Sequence, residues 1–356
     1  MEIKQNYDLT KLNTFGVSAK AKFFAQIENE SDLQELFKHK EFFAQSGSAN
    51  RKQNQKIFLG GGSNILFTKD FEGMVILNKI KGIEVIEDNT DTVVVKAKSG
   101  EIWHDLVLFA VERKYWGLEN LSFIPGTVGA APMQNIGAYG IELKTLLQSV
   151  EAYDIDTGTK KIFNREECEF GYRDSIFKNR LKDKYFISAV IIQLSKTPKI
   201  NTSYKILQEY LEQNKITVNG PKDISDAVTI IRKNKLPDPK EIGNAGSFFK
   251  NVILTSEEAI KFLEQYPTAP SFQENLTVKI PAGWLIEQCG PTSPSLSGTS
   301  WKGYKIGNVG VHDRQALVLV NHGGGTGEEI KELAKQIIIS VKAKFGLELI
   351  PEVNFI

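Results

Sequence analysis

The chain has 356 residues, of which 41% are hydrophobic and 24% are charged. This length exceeds what one ordinary core serves, and it predicts two or three domains that can bury a large ligand between them. Lys and Arg together number 44 against 43 for Asp and Glu, which leaves a net charge of +1. Such a balance lacks the basic surface that the phosphate backbone of a long nucleic acid requires, so we expect no nucleic-acid partner.

Cysteine, histidine and hydropathy exclude further classes. The two cysteines, Cys168 and Cys289, lie far apart in the sequence, and the four histidines show no metal-ligand spacing. We therefore expect neither a structural metal nor a disulfide scaffold. The first 17 residues have no apolar core of signal-peptide length, and no run approaches the roughly 20 apolar residues of a membrane span. The sequence thus predicts a cytoplasmic protein without a membrane partner.

The first half of the chain has the pattern of short strands separated by glycine-rich turns. The predicted elements in chain order are a helix at 30–37, strands at 56–59, 74–77 and 92–98, and a helix at 101–113. This mixed order is α+β, because a doubly wound sheet would alternate strands and helices strictly. The polar residues 45–55 predict an extended surface loop.

Prolines punctuate the second half. Pro198 closes the strand-rich section, and Pro237 with Pro239 follows a predicted helix at 224–233. A helix predicted at 327–343 carries apolar residues with helical spacing, which indicates core packing. We predict two domains, residues 1–197 with two α+β subdomains and residues 198–356 of α/β type.

Two glycine-rich segments are candidates for ligand binding. Residues 59–64 (Leu-Gly-Gly-Gly-Ser-Asn) follow a predicted strand, and their backbone amides could approach a pyrophosphate. The spacing fits neither the Walker pattern nor the dinucleotide fingerprint, and an ordinary hairpin turn is the alternative. Residues 124–140 contain four glycines and little charge, which suits either a flat, bulky group or a buried structural loop. Two such segments together favour a large cofactor.

Six segments resemble the motifs of one enzyme family, in the family's order and over nearly the whole chain. They are residues 13–16 (Asn-Thr-Phe-Gly), 59–64, 124–140, 171–178 (Gly-Tyr-Arg-Asp-Ser-Ile-Phe-Lys), 243–251 (Gly-Asn-Ala-Gly-Ser-Phe-Phe-Lys-Asn) and 351–353 (Pro-Glu-Val). The family is the UDP-N-acetylenolpyruvoylglucosamine reductases. The resemblance implies an FAD-binding domain of the vanillyl-alcohol-oxidase/PCMH type followed by a C-terminal substrate-binding domain. It also implies NADPH-dependent reduction of UDP-N-acetylglucosamine enolpyruvate to UDP-N-acetylmuramate, a precursor of peptidoglycan.

The resemblance carries over a set of cofactor contacts. The residues that it places against FAD are Gly60, Gly61, Gly62, Ser63, Asn64, Pro125, Gly126, Gly129, Ala130, Asn135, Gly137, Ala138 and Tyr139. Some proteins of this fold attach FAD through His or Cys, and neither residue type occurs in the two glycine segments. The FAD is therefore expected to be non-covalent, with NADPH as the hydride donor.

Three residues receive catalytic roles by the same resemblance. Arg173 is the cation that polarises the substrate carboxylate, Glu352 assists it, and Ser247 is the proton donor. Without the resemblance, Ser247 has the sequence context of a turn serine, Arg173 that of a surface ion-pair partner, and Glu352 that of a surface carboxylate.

The resemblance also assigns substrate contacts. These are Tyr204, in the branch of the family whose tyrosine loop covers the substrate, together with Lys235, Asn251 and Gln288. A core role for Tyr204 and a solvated helix end for residues 232–235 are the alternatives. The chain departs from some relatives at Asn354, where they carry arginine, and in the longer loop at 290–304.

Two other functions remain open at this point. One is a flavin oxidase or dehydrogenase of the same fold that acts on a small alcohol, acid or sugar. The other is a non-enzymatic nucleotide-binding module, which leaves Arg173, Ser247 and Glu352 unexplained. For the protein itself we expect a monomer.

Overall fold

The computed structural model describes residues 1–39, 55–274, 276–291 and 300–356. The predicted surface loop at 45–55, except for its last residue, and the middle of the longer loop at 290–304 lie outside the described residues.

The helices and strands are as follows, in chain order: β1 (Ile3–Asp8), β2 (Lys20–Ile27), α1 (Glu30–Phe37), β3 (Lys56–Leu59), β4 (Ile65–Leu66), β5 (Phe71–Asn78), β6 (Ile83–Asp88), β7 (Thr92–Lys98), α2 (Trp103–Glu112), β8 (Gly137–Ala138), β9 (Ile141–Glu142), β10 (Leu147–Asp154), β11 (Lys160–Asn164), β12 (Tyr185–Ser195), α3 (Lys205–Gln213), α4 (Pro221–Lys235), β13 (Gly243–Ser247), β14 (Val252–Thr255), α5 (Ser256–Gln265), β15 (Phe272–Glu274), β16 (Thr277–Ile280), α6 (Ala282–Glu287), β17 (Lys305–Ile306), β18 (Val309–Val311), β19 (Val318–Asn321), α7 (Gly327–Phe345) and β20 (Asn354–Phe355).

The chain forms two compact units, each built from discontinuous segments. The first unit comprises Met1–Tyr7, Lys20–Gly62 and Phe71–Asn234, and the second comprises Asp8–Ala19, Ser63–Asp70 and Lys235–Ile356. This division by compactness differs from the predicted domains 1–197 and 198–356. Those domains were assigned to FAD binding and substrate binding, and that assignment stays a prediction.

The first unit contains a four-stranded sheet in the order β1-β2-β5-β3. Both β2 and β3 run parallel to β5. The central strand β5 is buried along almost its whole length, as expected for a parallel strand covered on both faces. Leu33 and Leu36 of α1 pack into the same core as Met74 and Ile76 of β5.

A five-stranded antiparallel sheet in the order β11-β10-β12-β7-β6 forms the larger core of the first unit. The apolar face of α2 packs there, with Trp103 fully buried. The prediction placed the start of this helix at residue 101. The helix begins at Trp103 instead, because Ile102 is extended and bridges to Thr127. The bridge holds the second glycine segment against the start of the helix.

Helices α3 and α4 add a third cluster to the first unit. Leu207, Leu211, Ile224 and Val228 pack there with Trp116. The predicted helix at 224–233 is confirmed and is longer, since it begins at Pro221, a residue that suits the first turn because its missing N–H has no intrahelical partner there.

The second unit contains an antiparallel sheet in the order β13-β19-β18-β17, a three-stranded sheet in the order β14-β16-β15, and the parallel pair β4 and β20. The predicted C-terminal helix is confirmed as α7. It begins at a capping box of Thr326 and Glu329 and ends before Gly346, whose φ of 69° is the left-handed cap that glycine adopts without strain.

Cys168 and Cys289 are buried free thiols. Among the described residues, no three His, Cys, Asp or Glu side chains gather as metal ligands do, and no helix has the length and hydropathy needed to cross a membrane.

Candidate active site

Glycines of the two predicted segments lie against each other in the first unit, which contains residues 59–62 of the first segment and all of the second. A Cβ atom on Gly60 would overlap the hydroxyl of Thr127, and one on Gly61 would come within 3.1 Å of the Gly126 Cα. The neighbouring Gly129 donates from its N–H to Ser99 O over 2.9 Å and has no room for a side chain. Glycine is therefore required at these positions, because the two backbones approach each other directly.

This pair of loops has the properties of a cofactor cradle. Gly62 and Gly126 have φ values of 63° and 109°, a backbone conformation that other residues adopt only with strain. Gly61 and Ala130 are exposed, so the backbone of both loops can reach a ligand. Closely spaced backbone amides without side chains suit a pyrophosphate, and the residues present fit the diphosphate of FAD.

Asn135 organises the second loop from inside. It is fully buried, with a left-handed φ of 44°. Its Nδ2 donates to Glu142 Oε2 and to Gly171 O, both over 3.0 Å, and its Oδ1 accepts from the Lys144 N–H over 3.0 Å. Since these bonds occupy the side chain, Asn135 ties the loop to the segment that carries Arg173. Its predicted contact with FAD stays a prediction.

Arg173 lies against the second glycine loop. Its Nη2 donates to Gly137 O over 2.6 Å, and a Cβ on Gly137 would approach its Nη1 to 3.1 Å. The side chain is half-buried, and the backbone has a φ of 52°. The structure thus places the predicted catalytic cation beside residues predicted to hold the cofactor.

A second arginine and two tyrosines complete this part of the first unit. The rings of Tyr139 and Tyr204 meet edge to face with centroids 5.3 Å apart. Burial raises the pKa of both hydroxyls, and the positive charge of Arg232 opposes this rise at Tyr139. Arg232 donates from Nε to Phe123 O over 3.1 Å, and its pKa is lowered by burial and by the nearby charge of Arg173. The cluster therefore combines two guanidinium groups with two neutral hydroxyls.

Asn120 is a residue of this site that the sequence analysis missed. It is fully buried, and its Nδ2 donates to Tyr139 O over 2.8 Å and to Asn201 O over 2.9 Å. It thereby ties the second glycine loop to the segment that leads into Tyr204. The available signal was a pair of polar residues, Glu119 and Asn120, inside an apolar stretch. Burial raises the pKa of the Glu119 carboxyl, which accepts from the Gly117 N–H over 2.6 Å.

The second unit brings Ser247 and Glu352 close together. Ser247 is the last residue of β13, and the next residue, Phe248, accepts from the Glu352 N–H over 2.8 Å. On the other side, the Phe248 N–H donates to Leu317 O over 2.8 Å. The predicted proton donor and the predicted carboxylate are thus held by adjacent backbone pairing, and both side chains are half-buried.

Asn64, at the end of the first glycine segment, belongs to the second unit and lies beside Glu352. Its Nδ2 donates to Glu352 O over 3.3 Å. Its own carbonyl accepts from Asn354, both from the backbone N–H at 3.1 Å and from Nδ2 at 3.0 Å. Asn354, the residue that follows the Pro-Glu-Val motif, therefore binds the chain beside Glu352.

The remaining predicted substrate contacts are spread over the second unit. Asn251 accepts at Oδ1 from the N–H of Ala282, the first residue of α6, over 3.1 Å. Lys235, at the end of α4, is exposed, as is Gln288, whose carbonyl accepts from Lys344. The bonds of Asn251 and Gln288 stabilise the unit, and the roles of all three in substrate binding stay predictions.

Comparisons with known proteins agree along the whole chain. A family model described as FAD binding domain matches residues 24–162, and one described as UDP-N-acetylenolpyruvoylglucosamine reductase, C-terminal domain, matches residues 238–356. The chain is 45% identical to the UDP-N-acetylenolpyruvoylglucosamine reductase of Flavobacterium johnsoniae and 42% identical to that of Chromobacterium violaceum. Coverage is 100% of both chains in the first case, and 99% and 98% in the second.

A solved structure agrees in fold. The UDP-N-acetylenolpyruvylglucosamine reductase of Thermus caldophilus superimposes with a TM-score of 0.63 at 20% identity, over 99% of this chain and 98% of that one. The family model for FAD binding and the full-length reductase relatives define an FAD-binding oxidoreductase, and its FAD domain has the predicted α+β content. Within that class, the chain belongs to the UDP-N-acetylenolpyruvoylglucosamine reductase family. Membership of this family decides against a non-enzymatic nucleotide-binding module and against a different flavin oxidase.

Proposed function

We propose that this chain reduces UDP-N-acetylglucosamine enolpyruvate to UDP-N-acetylmuramate with NADPH, in the synthesis of peptidoglycan precursors, through the residues described below. The observation that carries the activity is the 45% identity to a reductase of this name over the full length of both chains. The two glycine segments would hold FAD, and the bound flavin would supply the hydride-transfer chemistry between NADPH and the substrate.

The reaction makes three demands on the protein. A hydride adds to one carbon of the enol ether double bond, and the electron pair of that bond moves towards the substrate carboxylate. A proton then adds to the neighbouring carbon. One NADPH and one proton are consumed, and NADP⁺ is released. The chain must therefore stabilise the developing negative charge and deliver the proton at the correct carbon.

Arg173 meets the first demand. Its hydrogen bond to Gly137 O over 2.6 Å fixes one side of the guanidinium group, and the planar fork of an arginine matches the geometry of a carboxylate. The positive charge of Arg232 in the same unit adds to the field, and Tyr204 supplies a neutral hydroxyl. These groups stabilise an enolate-like carboxylate without a proton transfer of their own.

Ser247 meets the second demand. Its Oγ–H gives the proton to the carbon, and the resulting alkoxide is reprotonated from solvent. The Glu352 N–H donates to Phe248 O, next to Ser247, and the Glu352 carboxyl group assists Arg173 in stabilising the intermediate. For the uridine diphosphate we propose Lys235, Asn251 and Gln288. For FAD we propose the two glycine segments, including Ser63 and Asn64, with backbone amides at the diphosphate.

The chemistry of the reactants also places the protein. UDP-sugars and NADPH are solutes of the cytoplasm, so we propose that the enzyme acts there. Each unit carries its own predicted residues, and we propose a monomer as the working form. Sedimentation of the purified protein measures the molecular mass of the particle and so distinguishes a monomer from a dimer.

The activity is tested by an anaerobic absorbance experiment. The purified protein should show a flavin band that bleaches with NADPH and returns when UDP-N-acetylglucosamine enolpyruvate is added. A band that ignores this substrate would contradict the proposed reaction. Absence of a flavin band from protein that was incubated with FAD and then freed of unbound FAD would contradict the proposed cradle.

The role of Ser247 is tested in the same assay. Ser247→Ala should leave reduction of the flavin by NADPH unchanged and slow its reoxidation by substrate roughly 10²–10⁴-fold, the usual contribution of a positioned general acid. Ser256→Ala, which changes an exposed serine of the same unit, is the control and should react as wild type. Near-normal reoxidation in Ser247→Ala would remove Ser247 from the role of proton donor.

A further inference from the structure

Residues 13–16, one of the six sequence motifs, lie far from the catalytic residues in sequence but belong to the second unit. The Thr14 carbonyl accepts from the Asn244 N–H over 2.9 Å, at the start of β13. A Cβ on Gly243 would overlap the Phe15 carbonyl, so this approach requires glycine. The Phe15 ring is 1% exposed and meets Phe248 edge to face at 6.2 Å. The motif therefore braces the strand that ends at Ser247.

The side chain of Asn244 is committed to the same strand. It is 1% exposed, and its Oδ1 accepts from the Gly246 N–H over 2.9 Å. Its Nδ2 donates to Ile242 O over 2.9 Å and to Pro237 O over 3.2 Å. An asparagine oxygen that accepts from the N–H two residues later fixes a local turn of the backbone.

That turn is a β-bulge. Asn244 pairs with Val320 and Ser247 pairs with Val318, so Ala245 and Gly246 together stand opposite the single residue between those partners. Gly246 has a φ of 69°, and a side chain there would have no heavy atom within 4 Å. Because one inserted residue moves every following side chain to the other face of a strand, the bulge decides the face on which Ser247 lies.

We propose that Asn244, held by the Thr14 carbonyl, is a positioning residue for Ser247. It fixes the bulge that aims the serine hydroxyl at the carbon to be protonated. This inference rests on the proposed role of Ser247 as the proton donor. It gives the motif at 13–16 a function in catalysis, exerted through the backbone of β13.

The test is a double-mutant cycle on the two half-reactions. Asn244→Ala should slow reoxidation of the flavin by the enolpyruvyl substrate about 100-fold, the cost of displacing a reacting group by about 1 Å. Reduction by NADPH should stay within about twofold of wild type. In the Ser247→Ala background the same substitution should have no further effect on reoxidation, because the hydroxyl that it positions is already gone.

Two matched variants separate positioning from loss of stability. Asn244→Ser leaves nearly the same cavity as Asn244→Ala but restores an oxygen that can accept from the Gly246 N–H, and it should recover part of the reoxidation rate. Ser340→Ala removes the partner of the Trp301 indole N–H elsewhere in the unit. It should lower the melting temperature, leave both half-reactions unchanged, and combine with Ser247→Ala without coupling.

The outcomes are distinct. The positioning role would be overturned if Asn244→Ala slowed flavin reoxidation by the same factor in the Ser247→Ala background as in wild type. It would also be overturned if Ser340→Ala slowed reoxidation as much as Asn244→Ala does. A normal rate in Ser247→Ala would instead overturn the proposed proton donor, and the inference with it.

If Asn244→Ala does not fold, Gly246→Ala replaces it in the cycle. The added methyl meets no atom, so the variant disturbs only the backbone angle, and it should show the same dependence on Ser247.

Discussion

Arg173 and Asn135 are the residues on which the site of the first unit depends most directly. Both have left-handed backbone angles, 52° and 44°. This conformation costs an arginine roughly 1–2 kcal/mol, whereas asparagine tolerates it. The hydrogen bond of Asn135 to Gly171 O and that of Arg173 to Gly137 O hold the segment in this shape. Backbone strain of this kind is concentrated where a side chain must be aimed accurately.

The planar guanidinium of Arg173 is itself open to test. In Arg173→Lys, one ammonium cannot both bond Gly137 O and present a fork to the substrate carboxylate. We expect kcat to fall roughly 10²–10³-fold, the loss found when one donor to a developing oxyanion is removed. Bound FAD and its reduction by NADPH should be retained.

The control for this prediction is Arg165→Lys. Arg165 is exposed and pairs with Glu166 over 3.0 Å, so the same change should leave turnover unaffected. Equal rates for Arg173→Lys and wild type at saturating substrate would show that Arg173 has no role in the transition state.

At the scale of elements, α1 shows how a short helix is fixed in place. Its N-cap Asn29 accepts from the Asp32 N–H. Its first residue, Glu30, accepts from Lys98 Nζ of β7 over 2.5 Å and from the Tyr153 hydroxyl of β10 over 2.7 Å. Eight residues are too few for a stable isolated helix, so these bonds and the buried leucines anchor it.

The same network predicts a pH dependence of stability. The hydrogen bond from Lys98, together with that from Tyr153, lowers the pKa of Glu30 from 4.5 to about 2. A carboxyl with a depressed folded-state pKa stabilises the fold fully above its unfolded value and loses this effect as pH falls from 4.5 towards 2. Glu30→Gln should therefore lower the free energy of unfolding at pH 7, and its deficit should shrink below pH 4.5.

Denaturant unfolding between pH 7 and pH 3 measures this deficit. Glu87→Gln, which changes an exposed carboxylate on β6, is the control and should match wild type at neutral pH. A deficit of Glu30→Gln that stays constant over this range would contradict the assigned ion pair and hydrogen bond.

At the scale of the molecule, the second unit is assembled from three separated parts of the chain. A Cβ on Gly327 would overlap the Phe67 carbonyl, and the Thr68 N–H donates to Ile356 O over 2.8 Å. Asn321 donates to Phe15 O over 3.0 Å. Residues 8–19 and 63–70 are thus part of the core and pairing of this unit.

It follows that residues 235–356 expressed alone should not fold. Without the two N-terminal segments, β13 loses its bond to Thr14, β20 loses its partner β4, and buried polar groups such as Asn321 lose hydrogen bonds that cost about 1–3 kcal/mol each when unmade. We expect no cooperative thermal transition by circular dichroism and poor dispersion of amide NMR signals. The full chain under identical conditions is the control, and a sharp transition of the fragment would contradict this view of the unit.

The sequence by itself determined the local features of the protein. Helical spacing of apolar residues predicted α1 and α7, and short apolar runs beside glycine-rich turns predicted β3 and β7, because such patterns act over a few residues. Glycines marked the two loops, since close backbone approach excludes any other residue. Ordered motifs predicted the family, which the full-length identity confirms.

Only the tertiary structure decided which distant segments meet. The local sequences do not show which distant segments are joined by Asn120 between two loops, by Asn244 at the bulge, or by residues 13–16 in the second unit. Their roles come from hydrogen bonds to carbonyls that local sequence does not mark. A buried side-chain amide needs a hydrogen-bond partner, and the folded unit determines which carbonyl lies within reach. That carbonyl depends on the packing of the whole unit, which no local pattern encodes.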